Sequence, residues 1–273
     1  MPFPVAGLDS PTLASSTRVA LHYRHARPAL AWPAHDAAGT VLGGVWPDTG
    51  ANRPWAAPER LGPDRSLVEE WLVPGPVTEG RWGCVHYRSN GAWLFGTACI
   101  DDRTGGLQDA AWRAYADLFH VLDREGCNNV QRFWNYLRDI NGEEDGLERY
   151  RHFNLGRARA FADAGRGLAE GAPAACAMGT AQGPLTVHCL AGRHAPQAIE
   201  NPRQVSAYHY PQRYGPRSPT FSRAALADLG AGVRVLFISG TASIVGHESV
   251  HLGDVVRQAD ECLDNIEGVL AAA

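Results

Sequence analysis

The chain has 273 residues, a net charge of −4 and ordinary proportions of hydrophobic (45%) and charged (20%) residues, which gives enough length for a sizeable core and no basic excess to hold nucleic acid. All 25 basic side chains are Arg; Schiff-base chemistry, lysine-tethered pyridoxal phosphate and the Walker lysine are excluded, and any anion must be held by Arg, His or backbone N–H. Met1 to Ser16 lacks the basic and apolar regions of a signal peptide, and no apolar run reaches the roughly 18 residues of a membrane span, so a cytoplasmic protein without a membrane partner is expected.

Residues 1–78 are rich in Pro, Gly, Ala and Trp, with turn signals at Trp46-Pro47-Asp48 and Val73-Pro74-Gly75-Pro76, and read as an irregular N-terminal layer. From there the pattern sharpens. Trp82 to Arg88 and Ala92 to Ile100 form a predicted hairpin around Ser89-Asn90-Gly91. Leu107 to Arg124 is a predicted helix that places Ala111, Tyr115, Leu118, Phe119 and Leu122 on one face and stops at Gly126. Val130 to Ile140 reads as a strand, Glu148 to Ala164 as a second helix, and Cys176 to Met178 and Leu185 to Leu190 as short strands. The segment 79–195 is a first α+β unit.

The second unit, 196–273, replays the opening of the first. Val205 to Tyr210 and Val233 to Ser239 read as strands, and Trp93 to Ala98 has a counterpart in Leu236 to Ala242. A helix follows over Asp254 to Leu270, with Val255, Ala259, Cys262, Leu263, Ile266 and Val269 or Leu270 expected to face inward. The replay stops after this helix.

Four segments come into question as carriers of chemistry. Asn201 to Arg223 holds four Arg, three Tyr and four Pro, a composition suited to gripping a small carboxylate, because guanidinium forks bind it bidentately and Pro limits the entropy lost on ordering. His247-Glu248-Ser249-Val250-His251 matches the H-E-x-x-H pattern of zinc hydrolases, but Gly246 before it and Gly253-Asp254 after it read as a loop and a helix cap, so no metal site is assigned. Phe133 to Asp139 alternates as a half-buried strand would, and Glu148-Arg149-Tyr150-Arg151 reads as the solvated start of a helix. Six scattered cysteines without C-x-x-C spacing are expected to be thiols. No nucleotide-binding signature is present, and no cofactor is expected.

Longer strings resemble a known family, the chorismatases, which comprise FkbO-like chorismate hydrolases and related hydroxybenzoate synthases. They are Arg132-Phe133-Trp134-Asn135-Tyr136 with Asp139-Ile140-Asn141, Glu148-Arg149-Tyr150 with Gly156-Arg157, Tyr214 to Pro219 with Phe221 to Ala224, and Phe237 to Glu248. The resemblance implies an α+β fold of two tandem YjgF/RidA-like (chorismate-mutase-like) units, the second truncated at its C-terminus. It implies a dicarboxylate substrate, chorismate, whose enolpyruvyl ether is cleaved to pyruvate and a cyclohexadiene diol acid, or whose ring is aromatised to hydroxybenzoate.

On that basis Arg217 and Arg223 are expected to clamp carboxylates, Tyr208, Tyr214 and Phe221 to wall the site, and Gly240, Thr241 and Ala242 to line it. The family's acid is a glutamate on a closing strand that has no counterpart here. His188 stands at the matching place of the first unit. Glu248 is the nearest acid in the resembling segment and the candidate catalytic residue. The alternatives are an incomplete homologue that binds a carboxylate metabolite or assists a partner, and a zinc hydrolase. An unpaired sheet edge in the second unit implies oligomerisation or a partner chain.

Overall fold

The structure, a computed structural model, describes residues 19–25, 40–45, 67–167 and 171–273. The turn expected at Trp46-Pro47-Asp48 lies outside the described residues. Where the N-terminal layer is described it is regular: β1 (Ala20–His25), β2 (Thr40–Val45) and β3 (Leu67–Val73) form an antiparallel sheet in the order β1-β3-β2. Gly43 and Gly44 obscure the alternation in β2, and the register shifts between Val41 and Gly43, as a bulge requires.

The centre is a six-stranded sheet of β4 (Thr78–Trp82), β5 (Val85–Ser89), β6 (Trp93–Ile100), β7 (Asn129–Arg138), β10 (Ala174–Thr180) and β11 (Leu185–Gly192), in the order β10-β7-β11-β6-β5-β4. The β5–β6 hairpin turns where expected because Asn90 Oδ1 accepts from the amides of Ala92 (3.1 Å) and Trp93 (2.9 Å) and Gly91 takes φ 82°, which side chains disfavour. Trp82 does not open β5 as the sequence suggested. It ends β4, since Gly83 at φ 52° turns the chain there.

Helix α1 (Gly106–Glu125) and helix α2 (Arg149–Asp163) cover one face of this sheet. The expected stripe of α1 is buried together with Phe133, Phe153 and Phe161, and Gly126 in the left-handed conformation bonds back to Leu122 and Asp123 to end the helix. Between β7 and α2 a small hairpin, β8 (Glu143–Glu144) and β9 (Leu147–Glu148), sets up the helix start. Arg149 is buried there between Asp102 and Glu144 and donates to the Arg138 carbonyl at 3.0 Å. Gly156 lets α2 approach α1 closely, because a Cβ at that position would run into the Gln108 carbonyl.

The opposite sheet face packs through Phe95, Trp134, Tyr136 and Leu190 against Leu42 and Trp71 of the N-terminal sheet and against a third sheet. That sheet is β12 (Gln197–Ile199), β13 (Ala224–Asp228) and β14 (Arg234–Ile238), in that order. A small hairpin, β15 (Ile244–Val245) and β16 (Glu248–Ser249), and helix α3 (Val255–Ala272) complete the chain.

Three readings of this second half need correction. Val205 to Tyr210 is not a strand: Val205 makes one bond to the Gly246 carbonyl (2.7 Å), residues 207–209 form a single 3-10 turn, and Pro211 holds Tyr210 extended. The counterpart of β6 is shorter than expected: Ser239 makes a last bond to the Arg223 carbonyl (2.9 Å), its Oγ accepts from the Ala175 amide of β10 (2.9 Å), and the chain turns toward β10, leaving Gly240, Thr241 and Ala242 in a loop. The inward face of α3 is Glu261, Asn265 and Val269, while Val255, Ala259, Leu263 and Leu270 are exposed. This helix is held chiefly by polar loops: Asn265 donates to the carbonyls of Ala242 (3.1 Å) and Ile244 (2.9 Å), and Arg203 reaches Glu261 at 2.6 Å. No helix among the described residues is long and apolar enough to cross a membrane.

Candidate functional site

A cleft with a volume of about 140 Å³ opens where the start of α2, the loop 210–219 and the β15–β16 hairpin meet. Its α2 wall is Tyr150, Arg151 and Asn154; Asn154 shares a helix face with Tyr150 at i, i+4 and with Arg151 at i, i+3. The loop contributes Tyr210, Tyr214, Arg217 and Ser218 between prolines, and the hairpin contributes Ile244, His247 and Ser249.

Each wall is tied down. Arg223 is buried, donates to the Val205 carbonyl (2.7 Å) and to the Tyr210 hydroxyl (2.8 Å), and so fixes the Tyr210 ring. Ser218 Oγ donates to the Tyr210 carbonyl at 3.0 Å. At the rim, Arg213 Nη2 donates to the Tyr214 hydroxyl (3.1 Å), to His247 Nδ1 (3.2 Å) and to Glu248 Oε1 (2.9 Å). The Tyr214 hydroxyl also lies 3.1 Å from His247 Nδ1. Since a guanidinium can only donate, the Arg213 contact makes Nδ1 an acceptor. On the α2 wall, burial pushes the Tyr150 phenol up, against the pull of Asn154 and Arg157. Arg217 is exposed on the loop wall. The arrangement suits a small anion with polar substituents: three phenols and two guanidiniums face it, and no Asp or Glu stands among the lining residues.

A crystal structure of a chorismatase superposes on the chain with a TM-score of 0.79 and 34% identity, covering 93% of this chain and 78% of that one. The chain belongs to the chorismatase family. The family model described as chorismatase FkbO/Hyg5-like, N-terminal, matches residues 69–191, the segment that builds the six-stranded sheet and its helices. A 3-hydroxybenzoate synthase of Streptomyces hygroscopicus is 40% identical over 211 residues, which is 75% of this chain and 61% of that protein. A chorismatase of Streptomyces rapamycinicus is 42% identical over 214 residues, 77% and 63% of the two. The chain therefore spans about three fifths of the length of these curated chorismatase relatives.

Of the residues that the sequence singled out, the cleft brings together Tyr214 and Arg217. Glu248 stands beside them on the rim, exposed and paired with Arg213. Arg223 stands behind Tyr210, with Phe221 stacked under its guanidinium at 5.6 Å. Tyr208 packs edge-on against His209 at 4.7 Å, away from the lining residues. Gly240, Thr241 and Ala242 form the loop beyond β14, where Gly240 bonds Ala175. His247 to His251 is not helical: Glu248–Ser249 is strand, His251 takes φ 59°, and the imidazoles do not share a helix face.

Sequence reasoning gave no site role to Tyr150 and Asn154, and it read the segment around His247 and Glu248 as a loop, where the structure has the β15–β16 hairpin. A signal was present on α2, where Tyr150, Asn154 and Arg157 place polar groups at i, i+4 and i+7 on the stripe an amphipathic helix would give to the core.

Proposed function

We propose that the cleft binds chorismate and that the chain acts on its enolpyruvyl ether, releasing pyruvate and a cyclohexadiene diol carboxylate or hydroxybenzoate. The observation that carries this reading is the grouping of Tyr150, Tyr210, Tyr214, Arg151 and Arg217 around one cleft in a member of the chorismatase family. In this reading the two β-β-α segments, β5-β6-α1 and β13-β14-α3, are YjgF/RidA-like units in tandem, covering 79–195 and 196–273 and working in the cytoplasm.

Cleavage needs a proton on the methylene carbon of the enol ether, which leaves an oxocarbenium ion. Water adds to the cation and gives up a proton, and the hemiketal collapses to pyruvate and a ring hydroxyl. Arg217 supplies a guanidinium for a substrate carboxylate, and Tyr214 and Tyr210 supply hydroxyls held by Arg213 and Arg223, so little reorganisation is needed when charge develops. Glu248 is the proposed proton donor.

The test is incubation with chorismate while pyruvate release is followed through coupled lactate dehydrogenase, with the ring product identified by chromatography. Pyruvate release is expected. Arg217→Ala should raise KM for chorismate about tenfold or more, and an unchanged KM removes Arg217 from the site. Glu248→Gln should lower kcat with KM retained.

One observation favours a second reading, binding without turnover: the lining residues include no carboxylic acid, and Glu248 is paired with Arg213. Chorismate binding by calorimetry without pyruvate release would select it.

A further inference from the structure

The stripe that carries Tyr150 and Asn154 continues one turn deeper to Arg157, and there the hydrogen-bonding pattern is incomplete. Arg157 is 3% exposed, and no carboxylate among the described residues pairs with it. Its faces are covered by aromatic rings, with the guanidinium carbon 5.1 Å from the Tyr115 centroid, 5.6 Å from Phe133 and 5.4 Å from Phe161. Its edge is not covered in this way: Nε and Nη2 are buried and make no hydrogen bond. These two nitrogens lie on the same side of the guanidinium, and their N–H groups run parallel. That edge grips a carboxylate through two bonds.

An orphaned acceptor sits next to this orphaned donor pair. Asn154 is 5% exposed, lines the cleft, and its Oδ1 is buried without a partner. Tyr150, Asn154 and Arg157 stand at i, i+4 and i+7 on one face of α2, the first two lining the cleft and Arg157 buried one turn behind them. A buried cation without a counter-charge is costly, and so is a buried carbonyl without a donor. A single guest carrying an acid and a hydroxyl would satisfy both.

Resting on the reading of the cleft as a chorismate site, we propose that Arg157 and Asn154 form a recessed subsite for a hydroxy-carboxylate, the carboxylate held by the Arg157 edge and the hydroxyl donating to Asn154 Oδ1. The subsite selects ligands that carry both groups on one ring. Because the polar edges are sealed from water, entry displaces a neighbouring side chain, and Tyr150, on the same stripe and on the cleft surface, is the residue placed to yield.

The test uses calorimetry with three probes: 3-hydroxybenzoate, benzoate and 3-hydroxybenzyl alcohol. The unmodified chain should bind 3-hydroxybenzoate tighter than either probe lacking one group. Arg157→Met, which replaces a buried charge by a hydrophobe of similar length and is expected to keep its melting temperature, should weaken both carboxylates about tenfold or more and leave the alcohol little changed. Asn154→Leu should narrow the preference for 3-hydroxybenzoate over benzoate. Should Arg157→Met not fold, Arg157→Lys keeps the charge but not the fork and should still lose several-fold in carboxylate affinity.

Carboxylate binding unchanged in the folded Arg157 variant overturns the proposal, as does an unmodified chain that binds none of the probes or ranks them equally. Turnover separates the two readings. Probe binding through Arg157 without pyruvate release keeps the subsite and sinks chorismate cleavage, whereas pyruvate release with an unchanged kcat/KM in Arg157→Met keeps cleavage and sinks the subsite.

Discussion

Helices α1 and α3 follow the same strand pattern in the chain, yet they are held by different physics. Helix α1 lies on a six-stranded sheet with α2 beside it, and its apolar stripe is buried. Helix α3 follows a three-stranded sheet, touches it through Val269, and turns buried Asn265 and Glu261 toward loop carbonyls and Arg203. Leu263 (59% exposed) and Val255 (76%) face outward. A periodic apolar stripe thus reports that a helix has a face to cover, not which neighbour covers it. Among the described residues β14 pairs only with β13, whereas β6 is flanked by both β5 and β11.

The contrast can be broken experimentally at either end. Phe133→Ala, beneath α1 and fully buried, should cost about 3–5 kcal/mol, read as a lower midpoint in denaturant; a loss under about 1 kcal/mol would mean that this core relaxes far more than packing allows. The same sheet holds the next effect. His188 is buried, touches Thr97 through Nδ1 (2.9 Å), and burial holds its pKa down at about 3. Between pH 6.5 and 3 the unfolded chain binds a proton that the folded chain refuses. The His188 contribution is therefore fully present above this window and is lost as pH falls through it, with a slope approaching about 1.4 kcal/mol per unit. His188→Gln should flatten that limb in denaturation series at stepped pH.

Smaller effects belong to α3. Asp254 caps it by accepting from the Arg257 amide at 3.1 Å, so Asp254→Ala should cost about 1 kcal/mol. It should speed hydrogen exchange in the first turns of α3 without touching α1. Leu263→Ser should change stability by no more than about 0.5 kcal/mol; a larger loss in the thermal midpoint would show that this face is covered in solution.

Much of the segment 79–195 was legible because its signals are local and redundant. Tyr115, Leu118 and Phe119 mark a helix by spacing, Gly126 stops it, and Asn90-Gly91 turns the hairpin. Proline and aromatics misled at Val205 to Tyr210, where apolar content suggested a strand but Pro211 and a single bridging bond leave a 3-10 turn. The cleft was half legible. The segment 201–223 stood out by composition, and Tyr214 and Arg217 within it by the family resemblance, whereas Tyr150 and Asn154 were hidden because their role depends on a wall formed by residues more than about 50 positions later in the chain. Arg223 shows the limit of residue-type reasoning, since a guanidinium that suits a ligand also suits Tyr210 and a carbonyl.

Gly156 has a consequence for the cleft opposite it. Because α2 is pressed onto α1 at a point that tolerates no side chain, the backbone that carries Tyr150 and Asn154 is a jaw cast into the core, while Tyr214 and His247 stand on a jaw fastened by a few rim hydrogen bonds. A tool built this way keeps its gauge on one side and accepts new fittings on the other. Changes in the loop 210–219 can refit the bite for a different ring without retooling the frame, whereas a methyl group at position 156 would shift the whole fixed jaw.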